Sequence, residues 1–475
     1  MKSFDLDGTA LRMELTLARQ REAFLRAGPP SLKERKADLR ALKATILAHR
    51  DAIADAVKAD FGHRSPHETA LMELLPVVQG INYQLRNLRR WMRPEKRHVP
   101  LHFLPGRAWV VCQPLGVVGI MSPWNYPMSL ALMPLATAIA AGNRAMIKPS
   151  EFTPASSALL AKMLAETFPS DQVAVVTGDA AVGKDFSALP FDHLVFTGST
   201  QVGRAVMKAA SDNLVPLTLE LGGKSPVIIE RGHSMQHAAA GIAYGKLGNG
   251  GQTCIAPDYV MVHEDAVPAF ADAYDQAVRK LYPDGPASDN YTSVINERHY
   301  ERLRALLDDA RAHGATVREV GVNAQRAGAR PHNLTPTLVT GVTQQMRLMR
   351  EEVFGPLLPV VGYRQLDEAI AYVNAHPRPL ALYYFGSDAA QCRKVLSLTT
   401  SGNVTVNNTL MHYAQDDLPF GGVGPSGMGA YHGTEGFKSL SHAKGVFKQG
   451  RWNLSALLRP PYGALAELAL KIMLR

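Results

Sequence analysis

Cysteine is scarce in this chain. Among 475 residues there are three, Cys112, Cys254 and Cys392, widely spaced and without a CxxC pair. An odd number at such spacing argues against a disulfide framework or a cysteine zinc site, so no metal is expected. It favours a reducing, cytoplasmic setting in which one thiol can stay reactive. Long apolar runs are missing too: no stretch reaches the roughly eighteen residues of a membrane-spanning helix. The leading MKSFDLDGTALRMELTLARQ carries acids where a secretory signal would be apolar. Internal repeats and low-complexity tracts are absent. Neither charge sign dominates, since 51 Lys and Arg stand against 42 Asp and Glu, for a net charge of +9. The densest basic stretch, RNLRRWMRPEKRHVP, has a single aromatic, Trp91. A nucleic-acid surface would need stacking platforms or a known module. A solvated face or a subunit contact is therefore expected there, with no nucleic-acid partner. The tail ALAELALKIMLR, with Lys471 and Arg475 near its end, reads as a packed terminal helix rather than a membrane contact.

What is present is an ordinary globular composition, 46% hydrophobic and 20% charged. At this length it implies two to four domains. Residues from about Leu11 to Leu88 carry apolar positions at three- and four-residue spacing and read as helical, broken at Pro66 and Pro76. From Val110 the pattern changes to β-branched segments alternating with helices. WVVCQPLGVVGIMSP, NRAMIKPS, QVAVVTG, HLVFTGS and PLTLELGGKSPVIIE read as strands, with MSLALMPLATAIAAG, PASSALLAKMLAETF and TQVGRAVMKAAS as helices. Such alternation predicts an α/β fold with a parallel sheet, whose ligands sit at the carboxyl ends of its strands. A second alternation from about His237 to Val406 predicts a second α/β domain. From His412 onward, Gly and Pro dominate and the regular period stops.

Several short runs could carry chemistry. HLVFTGSTQVGRAVMK places Gly198 after a strand and Ser199 or Thr200 at a helix N-cap, where free N–H groups suit a phosphate. Its GxxxxG spacing to Gly203 matches neither GxGxxG nor a P-loop, because Arg204 and Ala205 stand where Lys and Ser or Thr are required. IKPSE sets Lys148 and Glu151 beyond a strand, and a carboxylate there can accept ribose hydroxyls; a plain helix start reads equally well. SPWNYP holds the Asn125 amide in a turn stiffened by prolines, either as an oxyanion donor or as an ordinary turn residue. LELGGKSP holds Glu220 at a strand end, as a general base or a structural acid. LGNGGQTC ends on Cys254. A nucleophilic thiol needs low pKa and access, which small residues would open, whereas an isolated cysteine is commonly buried and inert.

Taken together, SPWNYP, IKPSE, FTGSTQVG, LELGGKSP, GQTC and EEVFGP resemble the aldehyde dehydrogenase family in order and spacing, from about Arg35 to Gly433. RPLALYYFG and LPFGGVGPSGMGAYHG look like its class 3 branch, and FLRAGPPSLKERKADL with NNTLMHYAQDDLPF is similar to bacterial coniferyl aldehyde dehydrogenases. The resemblance implies Cys254 as nucleophile, Glu220 as general base and Asn125 as oxyanion donor. It implies a cofactor, NAD with NADP as an alternative, held by Trp124, Lys148, Glu151, Gly198, Ser199, Gly203, Glu352 and Phe354. The implied substrate is a small-molecule aldehyde, aromatic or medium-chain, and the implied assembly a homodimer.

The implied division is 1–89 and 113–224 for a cofactor-binding domain and 225–411 for a thiol-bearing catalytic domain. A bridging, oligomerising region would take 90–112 and 412–450, and 451–475 would form the tail. Coenzyme A-acylating relatives usually lack the base, and Glu220 is present. A non-catalytic homologue would have lost Cys254, Glu220 or Asn125, and all three are retained.

Overall fold

The computed structural model describes residues 6–321, 330–451 and 454–474. Its strands are, in chain order, β1 (Glu95–Arg97), β2 (Arg107–Pro114), β3 (Val117–Met121), β4 (Arg144–Lys148), β5 (Val173–Val175), β6 (His193–Thr197), β7 (Leu217–Glu220) and β8 (Pro226–Ile229). There follow β9 (Tyr259–His263), β10 (Thr316–Glu319), β11 (Thr337–Thr340), β12 (Leu357–Tyr363), β13 (Ala381–Phe385), β14 (Asn403–Val406), β15 (Gly427–Met428) and β16 (Ser441–Lys448). They form three sheets, ordered β15-β7-β6-β3-β4-β5, β10-β11-β12-β9-β8-β13-β14 and β1-β2-β16.

The expected α/β architecture is present. In the first sheet β3 to β7 run parallel and only β15 is antiparallel. In the second only β10 is antiparallel. Strands β6 and β8 are buried at every position, as a sheet covered on both faces requires. The chain winds from β3 outward to β4 and β5, then returns to the other side of β3 with β6 and β7. The winding reverses between β3 and β6, and a crevice opens beyond the carboxyl ends of such strands. β7 and β8 adjoin in LELGGKSPVII yet belong to different sheets, so residues 221–225 carry the chain from one to the other.

The N-terminal helical reading needs one correction. Pro76 does not break the helix. The chain stays helical from Pro66 to Trp91, passing through a wide π-turn at Ala70–Leu74, and Pro76 follows that turn directly. A widened turn gives the pyrrolidine ring room that an α-turn lacks. The turn also aims Glu73 inward. Its Oε1 accepts from Arg64 Nη1 at 2.8 Å, and its Oε2 from the N–H groups of Met128 and Ser129 at 2.8 and 3.1 Å. Arg64 and Glu73 are both fully buried. The Arg64 guanidinium lies against the rings of Phe61 and Tyr126, 5.3 and 5.0 Å from their centroids. This pair joins the N-terminal helices to the all-buried helix Ser129–Ala141 and to the SPWNYP turn before it.

Two late elements differ from expectation. Order continues past His412: β15 extends the first sheet, and β16 pairs along the whole of β2. Most of β16 is exposed, so it lacks the apolar alternation that would have marked it. The tail helix Ala464–Met473 forms, but it is not packed. Only Ala466 is buried, while Leu465, Leu468 and Ile472 are exposed; Arg475 lies outside the described residues. No helix among the described residues is long and apolar enough to cross a membrane.

Removing one member of a buried ion pair strands the other charge, at a cost of about 3–5 kcal/mol. Glu73→Ala is expected to lower stability by that order, read from the urea midpoint. Arg64→Met combined with Glu73→Gln should recover most of the loss.

Candidate active site

The ends of β3, β4, β6 and β7, at Met121, Lys148, Thr197 and Glu220, lie around two adjoining hollows. One is an apolar cavity with about 770 Å³ of free space. Cys254, Glu220, Thr253 and Thr197 border it, its walls are Tyr126, Tyr413, Phe420 and Tyr431, and Leu71 and Met72 reach it from the π-turn. The exposed Leu71, Tyr244 and Met411 mark its mouth. The other is a cleft with about 2300 Å³ of free space over the switch point of the first sheet, bordered by Trp124, Lys148, Glu151, Gly198 and Ser199. Thr197, paired with Glu220 across β6 and β7, borders both.

The loop bearing Cys254 is not a loose approach. Gly248 to Thr253 are all buried. Asn249 and Gln252 brace the loop with side-chain hydrogen bonds. The Asn249 amide donates to the carbonyls of Asn125 and Gln252 at 2.9 and 3.1 Å, and its N–H donates to Glu68 at 2.7 Å. The Gln252 amide donates to the carbonyls of Asn249 and Ser293 and accepts from the Ile295 N–H. Asn249 holds φ +54°, a left-handed conformation that Asn tolerates. Gly251, at φ +78°, lies so close to the next loop that a Cβ would stand 2.3 Å from the Gly355 oxygen. Small residues here clear space for backbone, not for substrate. The sulfur is reached from the other side, through the apolar cavity.

Glu220 is 2% exposed, and neither carboxyl oxygen has a hydrogen-bond partner. Burial alone raises its pKa well above the usual carboxylate range, because nothing nearby stabilises the charged form. The Cys254 thiol is also displaced. Burial, then the Glu352 and Glu220 carboxylates, push it up to about 12, against N–H donation from Cys254 and Ile255. The thiol is therefore not the low-pKa one that a nucleophile calls for. Asn125 is buried, and its amide donates to the Gln252 carbonyl at 3.0 Å, two residues from Cys254; an amide has a second N–H to offer.

In the cleft, Lys148 is buried, with its ammonium on the Pro149 carbonyl at 2.9 Å and on Glu151 at 3.4 Å. Ser199 caps the helix Thr200–Ser211, accepting from the Val202 N–H at 3.3 Å. Gly198 faces the cleft and keeps its backbone close to the Phe196 ring, which a Cβ would meet at 2.6 Å. Gly203 does not border the cleft. Its missing side chain lets the helix lie against Leu221, 2.6 Å from where a Cβ would be. Trp124 and Phe354 form a T-shaped pair, centroids 5.4 Å apart, and Phe354 holds a strained φ of +49°. Glu352 is turned away from the cleft and tucked against Gly222, where a Cβ would come within 2.2 Å of its carboxylate. Burial and Asp258 raise its pKa to about 8. The buried Ser122 hydroxyl also borders the cleft and has no partner. A long hollow with a helix N-terminus, a buried cation and an unmatched hydroxyl fits an elongated, phosphate-bearing ligand.

Sequence reasoning passed over Arg64, Glu73 and the aromatic walls. Only Asn249 and Gln252 left a signal, as bulky amides inside an otherwise small-residue run.

A sequence profile of the aldehyde dehydrogenase family matches residues 7–446. A Pseudomonas aeruginosa protein named probable coniferyl aldehyde dehydrogenase is 50% identical over 465 residues, covering 98% of this chain and 97% of its own. Among solved structures, Staphylococcus aureus AldH in a substrate-bound state superposes with a TM-score of 0.92 at 35% identity, covering 98% of this chain and 99% of its own. PnpE in complex with nicotinamide adenine dinucleotide superposes with a TM-score of 0.84 at 26% identity, covering 94% and 91%.

A thiol with a pKa far above neutral gains thiolate about tenfold per pH unit. Iodoacetamide labelling of Cys254, followed by peptide mass spectrometry, should rise by about 100-fold over the two units from pH 7 to 9. A plateau below pH 8 would show a thiol already ionised.

Proposed function

This chain belongs to the aldehyde dehydrogenase family, and from that premise we propose that it oxidises an aromatic aldehyde of the coniferyl type to its carboxylic acid. NAD or NADP is the proposed hydride acceptor and a thioester on Cys254 the intermediate. The carrying observation is the junction itself: the apolar cavity and the cleft bordered by Lys148 and Glu151 meet at Thr197, with Cys254 and a free Glu220 carboxyl beside it. The name of the Pseudomonas aeruginosa relative and the four aromatic walls support an aromatic substrate over a medium-chain one.

The cleft residues fit a dinucleotide. Lys148 and Glu151 are suited to an adenosine ribose, Gly198 and Ser199 at the helix N-terminus to the pyrophosphate, and Trp124 and Phe354 to the ring end. Glu352 is suited to the second ribose once its carboxyl leaves Gly222. Glu151 favours NAD. Lys184 and Lys208 on the same cleft leave NADP as the second reading.

In the proposed reaction the Cys254 thiolate bonds to the aldehyde carbon, and the charge passes to the carbonyl oxygen. The second Asn125 N–H and the Cys254 N–H are the donors suited to that oxyanion. The nicotinamide supplies a hydride acceptor when bound. Glu220 then takes a proton from water as the water oxygen bonds to the thioester carbonyl. The C–S bond breaks, the acid leaves and the thiolate is restored. An uncharged resting Glu220 must first lose its proton, so the hydrolytic step should quicken as pH rises through its raised pKa.

We also propose the division into 1–89 with 113–224, 225–411, and 90–112 with 412–450, in a homodimer. It is supported by the chain leaving one parallel sheet for the other at 221–225, and by the separate, largely exposed sheet of β1, β2 and β16.

Cys254→Ser should abolish dehydrogenase turnover. Glu220→Gln should keep a rapid burst of one reduced cofactor per subunit and then slow by about 100-fold or more; normal turnover would remove Glu220 from the role of base. In a panel of coniferyl aldehyde, benzaldehyde, a long-chain aliphatic aldehyde and acetaldehyde, coniferyl aldehyde should give the highest kcat/KM. A clear win for acetaldehyde would overturn the substrate reading.

A further inference from the structure

Tyr431, in the run GMGAYHG, borders the cavity that holds Cys254 and Glu220. It is 1% exposed, and its hydroxyl makes no hydrogen bond of normal length, interacting only loosely with the Tyr413 hydroxyl. A buried phenol normally finds one, because an unmatched O–H in an apolar site is costly. Both oxygens of the equally buried Glu220 have no partner. The topology explains their closeness. β15 pairs with β7 so that Gly427 lies opposite Glu220, and Tyr431 follows four residues later.

The ring is held firmly. Its carbonyl accepts from Thr137 Oγ1 at 2.9 Å, and it packs edge-on to His432 at 4.6 Å and Phe420 at 6.1 Å. Gly436 lies so near that a Cβ there would come within 2.3 Å of the Tyr431 backbone. The other titratable groups around it are Tyr413, Cys254 and His432. The Tyr413 hydroxyl bonds to Ser129 at 3.2 Å and is also the hydroxyl toward which Tyr431 turns its own. Burial pushes the His432 ring down to about 3, so it carries no charge near neutrality. The Tyr431 O–H is thus a neutral donor on the same cavity as an acid that has no partner, with the Tyr413 hydroxyl as its competing acceptor.

We propose that Tyr431 is a positioning residue for Glu220: its hydroxyl donates to the Glu220 carboxylate, directly or through one water, and holds the acid charged and aimed for water activation. The inference rests on Glu220 as the base. An ionised carboxylate gains more from a donor than a neutral acid does, so the bond favours the form that can take a proton.

The test is Tyr431→Phe, which keeps the ring and removes only a loosely held hydroxyl, so folding should be retained. With coniferyl aldehyde and NAD, the reduced-cofactor burst should persist at one per subunit. The steady rate after it should fall about tenfold at neutral pH, and its acid limb should move up by about one pH unit, with less than a threefold change in aldehyde KM. A merely structural role would lower the rate at all pH values without moving the limb. A limb that stays in place, with or without a slower rate, overturns the proposal. Glu220→Gln run alongside separates the two ideas. If it stalls after the burst while Tyr431→Phe keeps its limb, only the part given to Tyr431 fails; if it turns over normally, the base assignment fails.

Discussion

A sulfur atom can be kept at one point only if the backbone carrying it cannot move, and the backbone before Cys254 is only a short 3-10 turn, Gly248–Gly251, broken by left-handed residues. The constraint is met by two side-chain amides. Asn249 and Gln252 together bond five backbone groups, three of them within or beside the loop and two on Ser293 and Ile295. Glu68 and the Arg64–Glu73 pair tie the same loop and the Asn125 turn to the N-terminal helices. Gly251 and Gly355 bring in the segment with Glu352 and Phe354. Elements far apart in sequence are thereby locked to one another around a single cavity.

Much of this was legible in the sequence because it rests on local pattern. The helix Thr200–Ser211, the helix Ser129–Ala141 with its glycine stop, and the parallel strands all follow from period and capping. The positions of Cys254 and Glu220 at one cavity were legible only through their neighbours in a family pattern, since Glu220 ends a strand of the first sheet and Cys254 lies in a loop ahead of β9 in the second. What stayed hidden depends on contacts that composition does not encode. A π-turn is not written in a three-to-four spacing, so Pro76 looked like an ending when it is an accommodated residue. β16 is too exposed to carry an apolar alternation. The glycines of GNGGQTC looked like an opening, and only the position of Gly355 shows which side they open toward. Gly203 was grouped with the phosphate turn by spacing, but its Cα faces Leu221 and serves helix–sheet packing.

The charged groups of the site share one property. Glu220, Glu352 and Cys254 are all shifted toward their uncharged forms by burial, and for each the first cause is loss of water rather than a neighbour. Donors or counter-charges brought into the cavity would favour the charged forms, and the Cys254 and Ile255 N–H groups on the thiol are donors that the chain itself supplies.

The free carboxyl of Glu220 reaches beyond the chemistry. A carboxyl whose folded pKa lies above its unfolded value binds its proton more tightly in the native state. Its share of native stability is complete below about pH 4.5 and is lost as pH rises through the folded pKa. Glu352 adds the same trend up to about pH 8. The pH range in which Glu220 and Glu352 favour the folded chain most and the range in which Glu220 can take a proton therefore lie apart, and every approach toward the second gives up some of what these two groups contribute to the first.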